Sequence, residues 1–274
     1  TQVRGSGEHG RITREDVQRW VESVAAPGTA QAATVSTRVE TAQDDEVVRL
    51  IGLRRRISDA MRVSRDQAAH FTYVEEIDFT EVVALKSALR DHGVRTTFLP
   101  FVMKAVVIAL KRPEFEYINA HVDYDQGEIN LKRRYHLGVA TATEAGLLVP
   151  VIFDVDRKNM KQLVEELAET ADATRSGTLP VDRLSGSTFT ITSLGKMGGI
   201  FATPIINHPE VAIIGLHKIE KRPVVVDGEI VVRDRMYMSA SFDHRIIDGH
   251  VGAAFIQAIK DLLENPALLM SELI

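Results

Sequence analysis

A histidine with charged neighbours on both sides sits in the segment Ser241-Phe242-Asp243-His244-Arg245-Ile246-Ile247-Asp248-Gly249-His250. An imidazole set between Asp243, Arg245 and Asp248 can be fixed in one tautomer and kept neutral enough to accept a proton near pH 7. The same residues also fit a surface turn with a salt bridge, and spacing alone does not separate the two. Gly195-Lys196-Met197-Gly198-Gly199 lacks the Gly-x-x-x-x-Gly-Lys-Ser/Thr spacing of a phosphate loop and reads as a turn between strands. The remaining histidines show no His-Glu-x-x-His or other ligand spacing, so no metal is expected.

Holding such a turn in place takes a strand before it and a helix after it. Residues 236–242 read as that strand and 252–263 as that helix. Upstream, HFTYVEEIDF, YINAHVDY, EINL, HLGVATA and LLVPVIFDV read as strands, as do 189–192, 211–216, 223–226 and 230–232. Val226-Asp227-Gly228-Glu229 carries a hairpin signal. Helical spacing marks 79–91, 97–111 and 161–173, and an earlier helix whose face is Leu53, Ile57, Ala60 and Met61. This irregular alternation predicts an α/β (α+β) fold, a mixed sheet with helices packed on it rather than a barrel or a doubly wound parallel sheet.

Three regions differ in character. Residues 1–23 hold a glycine-rich loop and a short helix, with Thr13 and Asp16 spaced as a cap, too little chain to bury a core. Residues 24–46 are rich in Ala, Thr and acidic residues without apolar periodicity, a flexible linker. Residues 47–274 are dense and periodic. With 45% hydrophobic and 26% charged residues the composition is that of a globular protein, and a net charge of -5 lacks the basic footprint of nucleic-acid binding. No apolar run approaches the roughly 20 residues that span a bilayer, and TQVRGSGEHG has no signal-peptide core. The absence of cysteine removes disulfides, thiolate metal sites and cysteine nucleophiles, and fits a reducing compartment.

Several motifs in order resemble one family. Asp243-His244-Arg245 with Asp248-Gly249 matches the DHRxxDG signature of the dihydrolipoamide acyltransferases of 2-oxo acid dehydrogenase complexes, relatives of chloramphenicol acetyltransferase. Gly52-Leu53-Arg54-Arg55-Arg56-Ile57 resembles the family's opening helix, and the Phe-x-x-Lys-Ala pattern within 98–113 its next motif. The segments HLGVATA, GLLVPVI, FTITSLG and PIINHPEVAI resemble its core strands, so the likeness runs from about residue 47 to the C-terminus. GSGEHGRITREDV is similar to the second half of a peripheral subunit-binding domain, with Arg11 on a basic position that this module presents to partners. The first helix of that module and a lipoyl domain have no counterpart, which implies a piece of a longer protein.

The resemblance implies a chloramphenicol acetyltransferase-like fold and acyl transfer between dihydrolipoamide and coenzyme A, the lipoyl group being carried on an upstream domain. His244 is implied as the base, Thr192 as the oxyanion donor with Ser193 as its competitor one residue on, and Asp248 as a buried carboxylate paired with Arg55 or Arg56. Gly249 is implied to tolerate no side chain. Trimers with the site between subunits are implied, joined into 24-mer or 60-mer cores (60 slightly favoured) through the apolar tail around Leu268, Leu269 and Met270. The 2-oxo acid dehydrogenase (decarboxylase) and dihydrolipoamide dehydrogenase are the implied partners, with no nucleic acid and no membrane. The expected location is the cytoplasm, or the mitochondrial matrix in a eukaryote. Acetyl ranks slightly ahead of branched-chain acyl as the group moved. A non-catalytic core or tethering subunit is the alternative.

Overall fold

The structure, a computed structural model, describes residues 3, 5–25 and 46–272, and the chain divides into two units, Thr1–Arg49 and Leu50–Ile274. In the first unit a 3-10 turn, Glu8–Gly10, precedes α1 (Arg14–Ala25). The expected cap is formed. Asp16 N–H donates to Thr13 Oγ1 at 3.4 Å, and Thr13 N–H donates back to Asp16 Oδ2 at 2.9 Å. Ser6 adds its hydroxyl and N–H at 2.6 and 2.8 Å, and these bonds hold the Asp16 carboxyl well below the usual carboxylate range. The helix runs two residues past the expected boundary at 23, and linker residues 26–45 lie outside the described residues.

The second unit begins with α2 (Gly52–Gln67), β1 (His70–Asp78), α3 (Thr80–Asp91) and α4 (Leu99–Leu110). A small hairpin of β2 (Ala120–Asp123) and β3 (Glu128–Leu131) leads to β4 (Leu137–Thr143), β5 (Gly146–Leu148) and β6 (Val151–Ile152). Then come α5 (Met160–Arg175), β7 (Phe189–Ser193), β8 (Ala212–Val226), β9 (Glu229–Asp243), α6 (Gly249–Glu264) and α7 (Pro266–Ser271). The main sheet has the order β1-β9-β8-β7-β4-β5, with β6 also on β4. Pairs β4–β7 and β7–β8 are parallel and the others antiparallel, so the sheet is mixed, as expected.

Two readings of the sequence are corrected. The four expected strands at 211–216, 223–226, 230–232 and 236–242 are two long ones. The ladder of β8 and β9 runs on through the exposed charged stretch that hides it from a periodicity reading, with a register shift between Leu216 and Ile219. The turn expected at Asp227-Gly228 joins them, with positive φ at both residues. The single strand expected over 147–155 is divided by Pro150, which has no N–H to give a ladder and instead accepts Val139 N–H at 2.9 Å.

The core lies on one face of the sheet, under α4 and α6. Apart from Leu99 and Ile108, every residue of α4 is buried, including Lys104, whose ammonium donates to the carbonyls of Val155 and Lys158. The opposite face is polar, with Thr190, His217, Ser239 and Ser241 all buried. Of the apolar tail, Leu269 is buried in the chain's own core while Leu268 and Met270 are exposed. No helix among the described residues is long and apolar enough to cross a membrane.

Phe255 of α6 meets Phe115, Phe189 and Phe242 edge-on, with ring centroids 5.4, 5.9 and 6.3 Å apart, and so pins the helix to two strands. Phe255→Ala should destabilise the domain by about 3–5 kcal/mol, read as an earlier urea transition. An unchanged transition would mean that the cluster does not hold α6 to the sheet.

Candidate active site

The sheet delivers His244 at the end of β9. Asp243, the last strand residue, pairs with His70 and donates its N–H to Val211 O at 3.0 Å. The chain then turns, with the N–H groups of Ile246 and Ile247 both donating to Asp243 O, at 3.0 and 2.9 Å. His244 N–H donates to Ala69 O at 2.8 Å. Its imidazole is exposed and rests on Phe71, ring centroids 4.6 Å apart, and Phe71 stacks in turn on Phe242.

The charged neighbours are arranged differently from the sequence reading. Asp243 does not hold the imidazole. Its carboxylate, with no exposure, accepts Ala69 N–H, Arg245 N–H and the Arg245 guanidinium through Nε and Nη2, each at 3.1 Å, and the Tyr124 hydroxyl. Burial pushes this carboxyl up, but the hydrogen bonds from Arg245 and Tyr124 outweigh it and hold it below its ordinary value. Burial, and then the bond to Asp243, pushes the Tyr124 hydroxyl up to about 12.

Asp248 is the N-cap residue of α6, exposed, with no capping bond from its side chain and no ion pair to Arg55 or Arg56 within the chain. The buried, paired carboxylate that the resemblance implies is not formed within the single chain. Arg55 and Arg56 are both exposed on α2, and Arg55 turns instead to Asp59 one helical turn on, at 3.0 Å. At Gly249, implied to tolerate no side chain, a Cβ would meet nothing within 4 Å in the single chain. Arg11 is exposed beside the 3-10 turn of the first unit.

Thr192 lies in β7, level with Ala140 of β4 and Gly215 of β8. It is half-buried on the polar face, since a Cβ at Gly215 would stand 3.6 Å from Thr192 Cγ2. Its neighbours there have partners. Asn207 Nδ2 donates to Thr190 Oγ1 at 3.2 Å, Ser241 Oγ meets Thr72 Oγ1 at 3.0 Å, and Ser239 Oγ meets His217 Nε2 at 2.8 Å. Among the described residues the Thr192 hydroxyl makes no hydrogen bond. Ser193 points to the other face and its Oγ accepts Gly195 N–H at 3.3 Å.

The structure does not bring His244 and Thr192 together. Gly215 is level with Ser239 in β9, five residues before His244. At the usual strand spacings this is roughly 16 Å along β9 and about 10 Å across the sheet. Beyond the end of β7 a cavity of about 1170 Å³ opens, with Ser193, Gly195, His217, Lys218, Arg95 and Arg175 on its walls. Tyr124 was not visible as a site residue, because it stands 119 positions from Asp243 and belongs to no motif.

The family profile of the 2-oxoacid dehydrogenases acyltransferase (catalytic domain) matches residues 42–271. The chain is similar to the lipoamide acyltransferase component of the branched-chain alpha-keto acid dehydrogenase complex of Pseudomonas aeruginosa, 43% identical over 277 residues, 98% of this chain and 63% of that protein. It therefore spans less than two thirds of that relative. Among solved structures, Azotobacter vinelandii dihydrolipoamide acetyltransferase superposes with a TM-score of 0.78 at 36% identity, covering 85% of this chain and 98% of that one. The cubic core of a pyruvate dehydrogenase multienzyme complex gives 0.78 at 35% identity, with the same coverage. A profile match over nearly the whole second unit and an identity of 43% along almost all of the sequence lead to one assignment: the chain belongs to the family of 2-oxoacid dehydrogenase acyltransferase catalytic domains.

Proposed function

We propose that the chain carries out acyl transfer between dihydrolipoamide and coenzyme A, with each active site formed by two copies of the chain. The observation that carries this reading is the sheet register, which puts an uncommitted hydroxyl, Thr192, and an exposed imidazole, His244, on one sheet but far beyond hydrogen-bonding reach. A second copy supplies the missing half of each site. The spacing agrees with a relative. Work on the Azotobacter acetyltransferase concerns the catalytic roles of a serine, a histidine 52 residues later and an asparagine four further on, and Thr192, His244 and Asp248 repeat those intervals.

The chemistry follows from the groups. A thiol with pKa near 8.5 is mostly protonated at neutral pH, so His244 takes its proton as the sulfur attacks the thioester carbonyl. The new C–S bond leaves an oxyanion, to which the Thr192 hydroxyl donates. Collapse breaks the old C–S bond, and the departing thiolate recovers the proton from the imidazolium.

Trimers joined into a hollow core, with lipoyl domains and partner dehydrogenases brought by the rest of the protein, fit this reading, and the likeness to a cubic core supports it. The acyl group is acetyl or branched-chain. The sequence motifs lean to acetyl, while the 43% identity is to a branched-chain component.

His244→Ala should leave the assembly intact and lower turnover at least about a hundredfold. Thr192→Ala should lower kcat on the order of a hundredfold or more with little change in KM. An equal loss from Ser193→Ala, with Thr192→Ala normal, would move the donor one residue along. Co-expression of the two single variants should rebuild roughly a quarter of the sites, since a mixed interface can pair an intact His244 with an intact Thr192. No recovery above either variant alone would overturn the two-chain site. Transfer from acetyl-, isobutyryl- and succinyl-CoA to free dihydrolipoamide identifies the acyl group. If all three donors are inert with an assembled particle, the chain is a structural core.

A further inference from the structure

Tyr124 lies in the turn between β2 and β3, on a hairpin that is mostly exposed. The hairpin leans on the segment before β8, where Val122 N–H donates to Pro209 O at 3.0 Å. From there Tyr124 reaches both charged neighbours of His244. Its hydroxyl donates to Asp243 Oδ2, and the Arg245 guanidinium lies over its ring, 4.0 Å from the centroid. The ring also stacks near His208, centroids 6.3 Å apart and planes 21° from parallel.

These contacts act on one short piece of backbone. Asp243 and Arg245 clasp each other across His244, and the Arg245 side chain is 42% exposed. A guanidinium that open exchanges its partner for water at little cost unless something covers it. The Tyr124 face covers it, with the added attraction of a cation for a π-system. Ala69 completes the clasp from the other side, donating to Asp243 Oδ1 and accepting His244 N–H. The His244 imidazole has no side-chain hydrogen bond of its own among the described residues, so its aim is set by this backbone and by Phe71.

We propose that Tyr124 is a positioning residue for acyl transfer, holding Asp243 and Arg245 together so that the turn between them points His244 at the thiol. The proposal rests on His244 being the base. Tyr124 touches neither substrate nor the reacting atoms and acts only through the turn.

The test uses acyl transfer from acyl-CoA to free dihydrolipoamide by the assembled protein, comparing Tyr124→Phe and Tyr124→Leu in the wild-type and His244→Ala backgrounds. Phe keeps the ring under Arg245 and loses only the donor, whereas Leu loses both. With misplacement of a catalytic group costing up to about a hundredfold, kcat should fall about tenfold for Phe and about a hundredfold for Leu. KM for both substrates should stay near wild type, while the thermal transition of the particle should fall modestly, since the buried Asp243 carboxylate loses a donor. In the His244→Ala background neither change should cost anything further, because no base is left to aim. Wild-type kcat in both Tyr124 variants overturns the proposal. So does a loss of equal size in the His244→Ala background, which would mean that Tyr124 acts elsewhere. Should Tyr124→Leu fail to assemble, Tyr124→Phe decides alone. Full turnover by His244→Ala itself removes the base and the proposal with it, whatever the Tyr124 variants show.

Discussion

A carboxylate taken wholly out of water is the constraint on which the rest of this domain depends. Unpaired, it would cost several kcal/mol, and breaking one of its pairs leaves an uncompensated charge. Asp243 avoids this by drawing donors from three separate parts of the chain: Ala69 between α2 and β1, Tyr124 from the β2–β3 hairpin, and Arg245 from its own turn. Such charge-assisted bonds are the strong ones, and they set direction as well as energy. Its N–H ties the end of β9 to Val211, just ahead of β8. Within a few residues α6 begins and carries Phe255 into the core. The turn bearing His244 is thus fixed on every side without any bond to the imidazole.

The sheet sets the second condition. Strand register is rigid, because a slip by one residue would turn every side chain to the opposite face. Thr192, Gly215 and Ser239 form one row across β7, β8 and β9, and His244 lies well past its end. No rotamer change closes a gap of that size. His244 is exposed in a single chain, whereas the proposed acyl transfer between thiols would gain from a site closed to water, where a reactive thioester is shielded and each donor counts for more. Under the proposed function a neighbouring copy supplies both the missing hydroxyl and the enclosure. Catalysis and assembly then become inseparable, and dilution that separates the copies would silence sites whose chains remain folded.

How much of this was legible beforehand depended on sequence distance. Local signals read correctly: the Thr13–Asp16 cap, the Asp227-Gly228 turn, the helices around α4 and α5, and the mixed sheet. The long β8–β9 ladder read as fragments because its middle is charged and exposed, and only pairing with the other strand reveals it. The candidate site was legible as residue types but not as contacts. Asp243 appeared to serve the imidazole, yet its partners include a tyrosine 119 positions away. Asp248 appeared buried and paired, yet within one chain it is an exposed N-cap and Arg55 has a nearer carboxylate in Asp59. Periodicity reports which face a residue takes, not which distant side chain the fold brings to it.

The two faces of the sheet follow different rules, and the difference bears on Thr192. The helical face is closed by apolar packing, which needs no direction. On the other face each buried hydroxyl has to find a partner or lose about 1–3 kcal/mol. Thr190, Ser239 and Ser241 do so, through Asn207, His217 and Thr72. Burial pushes the His217 imidazole below its ordinary value and so disfavours a cation in the row. Thr192 departs from the pattern, with a half-buried hydroxyl that has no partner among the described residues. An oxyanion donor needs this state, because a hydroxyl already bonded in the ground state would have to give up that bond as the charge forms. Ser193 accepts Gly195 N–H and so keeps its own proton free as well, but it points to the other face of the sheet, away from the row that Thr192 shares with Gly215 and Ser239. Under the proposed function, then, the two hydroxyls differ in the face they take, and Thr192 is the one on the polar row.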